Sequence, residues 1–358
     1  MNKIEQLEKD VKLEPRNVDL WITLGNAYFD QEDYDKALKS YKKALELDKF
    51  HYNEVWNNLG LVYSYKSKYK QAIRCYKKSL EIQPDDPVIY YNLAYAFEEK
   101  GDNVHALENY KKALEFDPTY TDALNNMALI YMDEGEMKKA IRAYERAIKI
   151  NPDDPSLYEN LGMLYANEFE YDKGLDYYIK SLDIDPNNSE LWNRVGDLFF
   201  DKEDYNMALE CYKKAVLTDS YFKLAWNNLG ITFYRMESYE ESIKSYKKAF
   251  ELDPEDPTVL SNLGFSYTGN KQYNEAISSF KQALELDPDY DSVYRDLGDI
   301  YFFHKKDYEH ARQYYEKELE VDPEDYEVWE LLGESYSKLG NEEKAHSCRQ
   351  EALNLKED

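Results

Sequence analysis

Three cysteines, five histidines and only 45 basic against 72 acidic side chains leave this chain short of the groups from which active sites and polyanion-binding surfaces are built. The formal charge of −27 repels phosphate backbones and anionic headgroups, so neither nucleic acid nor direct membrane binding is expected. No run approaches the roughly 18 to 20 consecutive apolar residues of a membrane span. The opening MNKIEQLEKDVKLEP also lacks the apolar core of a signal peptide, and a cytoplasmic protein is expected.

What the chain has instead is a period. Trp21, Trp56, Trp192, Trp226 and Trp329 stand at multiples of about 34 residues, and Tyr90, Leu124, Tyr158, Leu260 and Tyr294 fill the phases between them. The unit recurs ten times from Val18 onward, broken by two one-residue insertions, one near His51 in LDKFHYNEVW and one within FFHKKDYEHA. Both insertions are expected to fall between helices.

Each unit reads as two short helices, with apolar residues spaced by three and four in both. Proline closes seven of the units, at Pro84, Pro118, Pro152, Pro186, Pro254, Pro288 and Pro323, where its ring stops the second helix. Segments such as Pro84-Asp85-Asp86-Pro87 then supply an N-cap aspartate and a proline for the next first turn. Gly25, Gly60, Gly162, Gly196, Gly230, Gly264, Gly298 and Gly333 share one phase with Ala94 and Ala128. Glycine inside a helix costs about 1 kcal/mol against alanine, so close packing at that phase is expected. The second helices answer with small residues such as Ala37 and Ala72, then aromatics such as Tyr41 and Tyr76 four residues on. In the tenth unit the aromatic gives way to Arg349, a polar end that suits the last face of a stack.

The pattern Trp56-x-x-Leu59-Gly60-x-x-Tyr63, followed by Ala72, Tyr76 and Pro84, resembles the tetratricopeptide-repeat signature, and the resemblance covers nearly the whole chain. It implies an all-α fold, a right-handed superhelical solenoid of antiparallel helix pairs. Residues 18–358 would form one continuous array of ten units. Residues 1–17, with Leu7 and Pro15 at the phases of the aromatic and the closing proline, would form an N-terminal capping half repeat. The family further implies a concave groove, lined by first helices, that binds an extended peptide or a partner helix.

Sixth in successive units stand Asn58, Asn92, Asn126, Asn160, Arg194, Asn228 and Asn262. An amide both donates and accepts, so such a ladder can bond a ligand's backbone without reading its side chains. It resembles the ladder in the repeat arms of O-linked N-acetylglucosamine transferases. The same amides could instead tie adjacent helices together. Tyr65, Tyr95, Leu129, Met132, Met163, Ile231, Tyr234, Phe265, Phe302 and Phe303 lie beside the ladder, with acids such as Glu98, Glu99, Asp133, Asp197 and Asp299 around them. The expected ligand is a protein or peptide segment, neutral or basic, with apolar anchors. The acidic C-terminal peptide of heat-shock chaperones is not expected, because the clamp that holds it needs basic groups in consecutive units. Here Arg194 and Arg295 stand among aspartates.

No catalytic chemistry is expected, and no cofactor. Cys75, Cys211 and Cys348 share one phase, filled elsewhere by Ser40, Ala143, Ser245 and Ser279, which reads as a packing slot. Being several units apart, they are too distant for a disulfide. His304 and His310, with Asp307 between them, form the one grouping that resembles a metal site, and no metal is expected there. The protein is therefore read as an adaptor rather than an enzyme. Two alternatives are the recognition arm of a larger enzyme, such as a glycosyltransferase, and a self-assembling structural element.

Overall fold

The computed structural model describes residues 3–48, 53–288, 290 and 293–357, with no strand among them. The insertion near His51 lies outside the described residues. The chain divides into two compact units, Met1–Ile184 and Asp185–Asp358.

The first unit holds α1 (Lys3–Leu13), α2 (Val18–Phe29), α3 (Tyr34–Leu47), α4 (Asn53–Tyr65), α5 (Tyr69–Ile82), α6 (Pro87–Glu98), α7 (Asn103–Phe116), α8 (Thr121–Asp133), α9 (Met137–Ile150), α10 (Pro155–Asn167) and α11 (Tyr171–Ile184). The second holds α12 (Ser189–Asp201), α13 (Tyr205–Thr218), α14 (Lys223–Arg235), α15 (Tyr239–Leu252), α16 (Pro257–Gly269), α17 (Tyr273–Leu286), α18 (Tyr294–Asp299), α19 (Tyr308–Val321), α20 (Tyr326–Lys338) and α21 (Glu342–Glu357). The helices pack as consecutive pairs, α2 with α3 through α20 with α21, and α1 packs on α2 through Ile4, Leu7 and Val11.

The helix boundaries follow from local chemistry. Asp86, Asp154 and Asp256 each accept a backbone N–H two residues on, at 2.9, 3.0 and 3.0 Å, with Pro87, Pro155 and Pro257 as the first helical residues. Within a pair the chain turns through one left-handed residue, as at Gly101 (φ 81°) and Phe169 (φ 61°).

The recurring glycine serves the aromatic ring more than the small residue of the second helix. A Cβ added to Gly25 would lie 2.5 Å from Cε1 of Tyr41, and one on Gly196 would lie 2.5 Å from Cε1 of Tyr212. Each ring, almost fully buried, thus occupies the volume a side chain would need. Close backbone approach does occur at Gly174, where a Cβ would lie 3.1 Å from the carbonyl oxygen of Gly162. Arg349, at the aromatic's phase in the last pair, is exposed.

The insertion in FFHKKDYEHA does not fall between helices. It is absorbed inside a first helix, as a π turn over Ile300–Lys305 that continues α18. A π turn takes in one extra residue without ending the helix. Ile300 and Phe302 remain buried, and the chain leaves the turn through Lys306 at φ 56°.

Candidate functional site

The predicted ladder lies on first helices of the pairs, with Asn58, Asn92, Asn126 and Asn160 in the first compact unit and Arg194, Asn228 and Asn262 in the second. Asn58, Asn92, Asn126, Asn160, Arg194, Asn228 and Asn262 are all half-buried. The amide nitrogens reach back to the preceding pair. Asn58 Nδ2 donates to Asn26 Oδ1, Asn92 Nδ2 to Asn57 Oδ1 and Asn160 Nδ2 to Asn125 Oδ1, each at 3.1 Å. Asn126 Nδ2 donates to the hydroxyls of Tyr110 at 2.9 Å and Tyr91 at 3.3 Å. In the second unit Asn228 Nδ2 donates to Asn193 Oδ1 at 3.1 Å and Asp197 Oδ1 at 3.0 Å. The tie is not made at Asn262: Asn227 Oδ1, the acceptor at the matching phase, is buried without a hydrogen-bond partner among the described residues.

Between consecutive first helices lie cavities. One of about 300 Å³ between α2 and α4 is lined by Asn26, Phe29, Asp30, Tyr41, Asn58 and Leu61. The next, of about 310 Å³ between α4 and α6, is lined chiefly by Tyr65, Tyr69, Tyr76, Tyr91, Tyr95 and Asn92. In the second unit a smaller one of about 170 Å³ lies between Phe200, Tyr212, Asn228 and Ile231, with Asp197 and Asp201 on its wall.

The apolar candidates flank these openings to different degrees. Tyr65 is 63% exposed, stacked on Tyr34 at 5.3 Å and edge-on to Phe29 at 5.5 Å. Tyr95 is exposed, and partial desolvation with Glu99 alongside pushes its phenol up to about 12. Tyr234 sits edge-on to Tyr239 at 5.7 Å and Phe265 edge-on to Phe280 at 5.1 Å. Met132 and Met163 are half-buried, and the Met132 sulfur accepts the Tyr144 hydroxyl at 3.8 Å.

Carboxylates also stand on first helices in each compact unit. The Tyr110, Tyr212 and Tyr315 hydroxyls donate to Glu98, Asp197 and Asp299 at 2.5, 2.7 and 2.8 Å. Burial holds all three carboxyls above their ordinary range. Burial, with Asp299 next to it, pushes Asp296 up to about 6. The Arg295 guanidinium is turned to the following pair, bonding Asp325 at 2.9 Å and also Glu327.

The repeat seen in these helix pairs has counterparts among known families. Residues 96–317 match the family described as "Cilia and flagella-associated protein 70 C-terminal domain", while residues 18–85, 51–119 and 314–347 match tetratricopeptide-repeat models. The chain belongs to the tetratricopeptide-repeat family. Solved structures of the same fold include the C-terminal part of a TPR repeat-containing protein from Cytophaga hutchinsonii, with TM-score 0.60 and 19% identity over 68% of this chain and 99% of that one. Another is a tetratricopeptide repeat protein from Parabacteroides merdae, with TM-score 0.50 and 18% identity over 70% and 98%. No curated protein matches the chain significantly.

Within the tetratricopeptide-repeat frame the reactive side chains have packing and capping roles. Cys75, Cys211 and Cys348 are free and buried, and burial pushes the first two thiols up to about 12 and about 11. They are thiols at neutral pH, poor nucleophiles and poor metal ligands. His310 faces the capping Asp307 at 2.8 Å, whereas His304 stacks on Tyr273 at 3.9 Å, so the two rings have separate partners. Among the described residues no cluster of His, Cys, Asp and Glu could hold a metal ion, and no helix is long and apolar enough to cross a membrane.

Several cavity residues were absent from the predicted set, namely Asn26, Phe29, Tyr69 and Tyr91. Tyr69 carried a signal, since Tyr34, Tyr69, Tyr171, Tyr205, Tyr239 and Tyr273 recur at one phase at the start of second helices. Tyr91 shares its phase with Asn57 and Asn125, and only the fold shows that phase reaching the cavity.

Proposed function

We propose that the chain is a protein-interaction scaffold that holds an extended partner segment along the face lined by its first helices, most firmly between α2 and α6. The observation that carries this is the pair of cavities between α2 and α4 and between α4 and α6, one repeat apart, the first of mixed lining and the second walled by tyrosines. Each offers room for a large apolar side chain beside a ladder amide. The ladder then has two roles. Its nitrogens tie each pair to the one before, while the carbonyl oxygens of Asn92, Asn160 and Asn228 accept no bond among the described residues and can take backbone N–H groups. Glu98, Glu99, Asp197 and Asp299 favour neutral or basic ligands. Recognition of this kind needs no catalytic group.

Selection of random peptides on phage tests the proposal. Peptides enriched on the wild-type chain should carry bulky apolar anchors flanked by neutral or basic residues. They should lose most of their binding to Tyr65→Ser/Tyr95→Ser, whose changes are on exposed side chains and leave the hydrogen bonds of the ladder amides intact, with far-UV circular dichroism checking that the variant is folded. Enriched peptides that bind this variant as well as wild type would place recognition elsewhere.

A further inference from the structure

The face lined by second helices carries a furrow of the opposite character. It lies between α7 and α9 over a floor from α8 and has a volume of about 480 Å³. Four cations, Lys111, Lys139, Arg142 and Arg146, border it against one acid, Glu115, in a chain whose formal charge is −27. Its floor is apolar, formed chiefly by Leu124, Met127 and Tyr131.

Two of the cations are already engaged. Lys139 pairs with Glu136 at 3.1 Å and lies 5.5 Å from the centre of the Tyr131 ring, while Arg146 donates to the Pro118 carbonyl at 2.9 Å. Lys111 and Arg142 are exposed and make no ion pair among the described residues. The same repeat positions line a smaller furrow of about 290 Å³, where Trp21, Leu24, Tyr28, Lys36 and Lys39 replace Leu124, Met127, Tyr131, Lys139 and Arg142. There Lys36 is held by Asp33 at 2.8 Å, and Glu8 stands at the phase of Lys111. Lys12 and Lys39 also border that opening, so the α7–α9 furrow differs from it in being larger and in setting four cations rather than three against one acid.

We propose that this furrow docks an acidic segment of a partner protein. A leucine or phenylalanine of that segment lies on the Leu124–Met127–Tyr131 floor, and flanking carboxylates meet Lys111 and Arg142. Charge complementarity selects this occupant. A phosphate would use the cations and leave the floor bare, a neutral apolar ligand would leave both cations without counter-charge, and an acidic segment with an apolar anchor satisfies both. The site shares no residue with the first-helix cavities, which favour neutral or basic ligands. The chain can therefore join two partners of opposite charge, and either site can fail without the other.

The probe is a fluorescein-labelled peptide of alternating Glu and Leu, titrated with the full chain and followed by anisotropy. Wild type should bind it roughly tenfold or more tightly than Lys111→Glu/Arg142→Glu, and by a similar factor more tightly than it binds an alternating Glu and Ser peptide. Both substitutions are on exposed side chains, and far-UV circular dichroism confirms that the variant is folded. Equal binding to the variant would overturn the proposal. So would equal binding of the Glu and Ser peptide, or displacement of the probe by inorganic phosphate as effectively as by unlabelled peptide, which would make the furrow a phosphate site.

Discussion

At the scale of single residues, the most constrained pair is a glycine and the ring above it. A methyl added to Gly196 would meet Tyr212 Cε1 at 2.5 Å and Cδ1 at 2.7 Å, and the ring cannot swing aside without breaking the 2.7 Å bond of its hydroxyl to Asp197. Overpacking costs about 1–3 kcal/mol, against about 1 kcal/mol recovered from better helix propensity. Gly196→Ala should therefore lower stability by up to about 2 kcal/mol, read as a lower urea midpoint. An unchanged midpoint would show that the crossing accommodates a methyl freely; Ala94 with Tyr110 and Ala128 with Tyr144 already stand at this phase in other pairs. The glycine phase was legible in the sequence because steric exclusion repeats with the unit. The partner of each ladder amide was not. Asn58 and Asn92 share a phase, yet one bonds Asn26 on the inward side of α2 and the other bonds Asn57 on α4. Phase tells which face a side chain points to, and local composition decides which neighbour it reaches.

At the scale of the element, helix starts and stops were readable because caps are local. An aspartate needs only the two or three N–H groups that follow it, and Asp86, Asp154 and Asp256 do what their Asp-Pro context implies. The second insertion was visible as an extra residue, but its location was not, because helix and loop compete for it. The helix won through tertiary contacts. The turn sets Tyr301 against His310 at 4.9 Å and within 3.1 Å of Lys281 Nζ, and it sets His304 on Tyr273. Deleting Lys305 should restore the ordinary α-helical register of this pair, keep the far-UV helical signal and hold the thermal midpoint within about 4 °C of wild type. A much larger drop would mean that the contacts made by the π turn hold α18 and α19 together.

At the scale of the whole molecule, the charge of −27 was evident from composition, but which carboxylates are buried was not. Desolvation raises the folded-state values of Glu98, Asp197, Asp299 and Asp296, the last to about 6. Around Asp296 stand Asp299, Glu318 and Tyr234, with the Arg295 cation opposing them. A carboxyl raised on folding binds its proton more tightly in the folded state. Its stabilising contribution is complete below the unfolded value near 4 and is lost as pH rises through about 6. The capping aspartates run the other way. Asp33, Asp102 and Asp253 are held low by hydrogen bonds, chiefly to Lys36, His105 and Lys223, so their contribution persists above a pH of about 4 and fades below it. Acidification also relieves self-repulsion among the excess carboxylates. Stability should therefore increase from pH 7 to pH 5, with Asp296 contributing on the order of 1–3 kcal/mol, and should fall again below about pH 4. Urea midpoints of wild type and Asp296→Asn at pH 5 and pH 7 separate the causes. The gain on acidification should shrink in the variant, because its neutral amide stands in for the protonated acid at both pH values. A gain of equal size in both proteins would assign the whole effect to global repulsion and leave Asp296 without a special part in it.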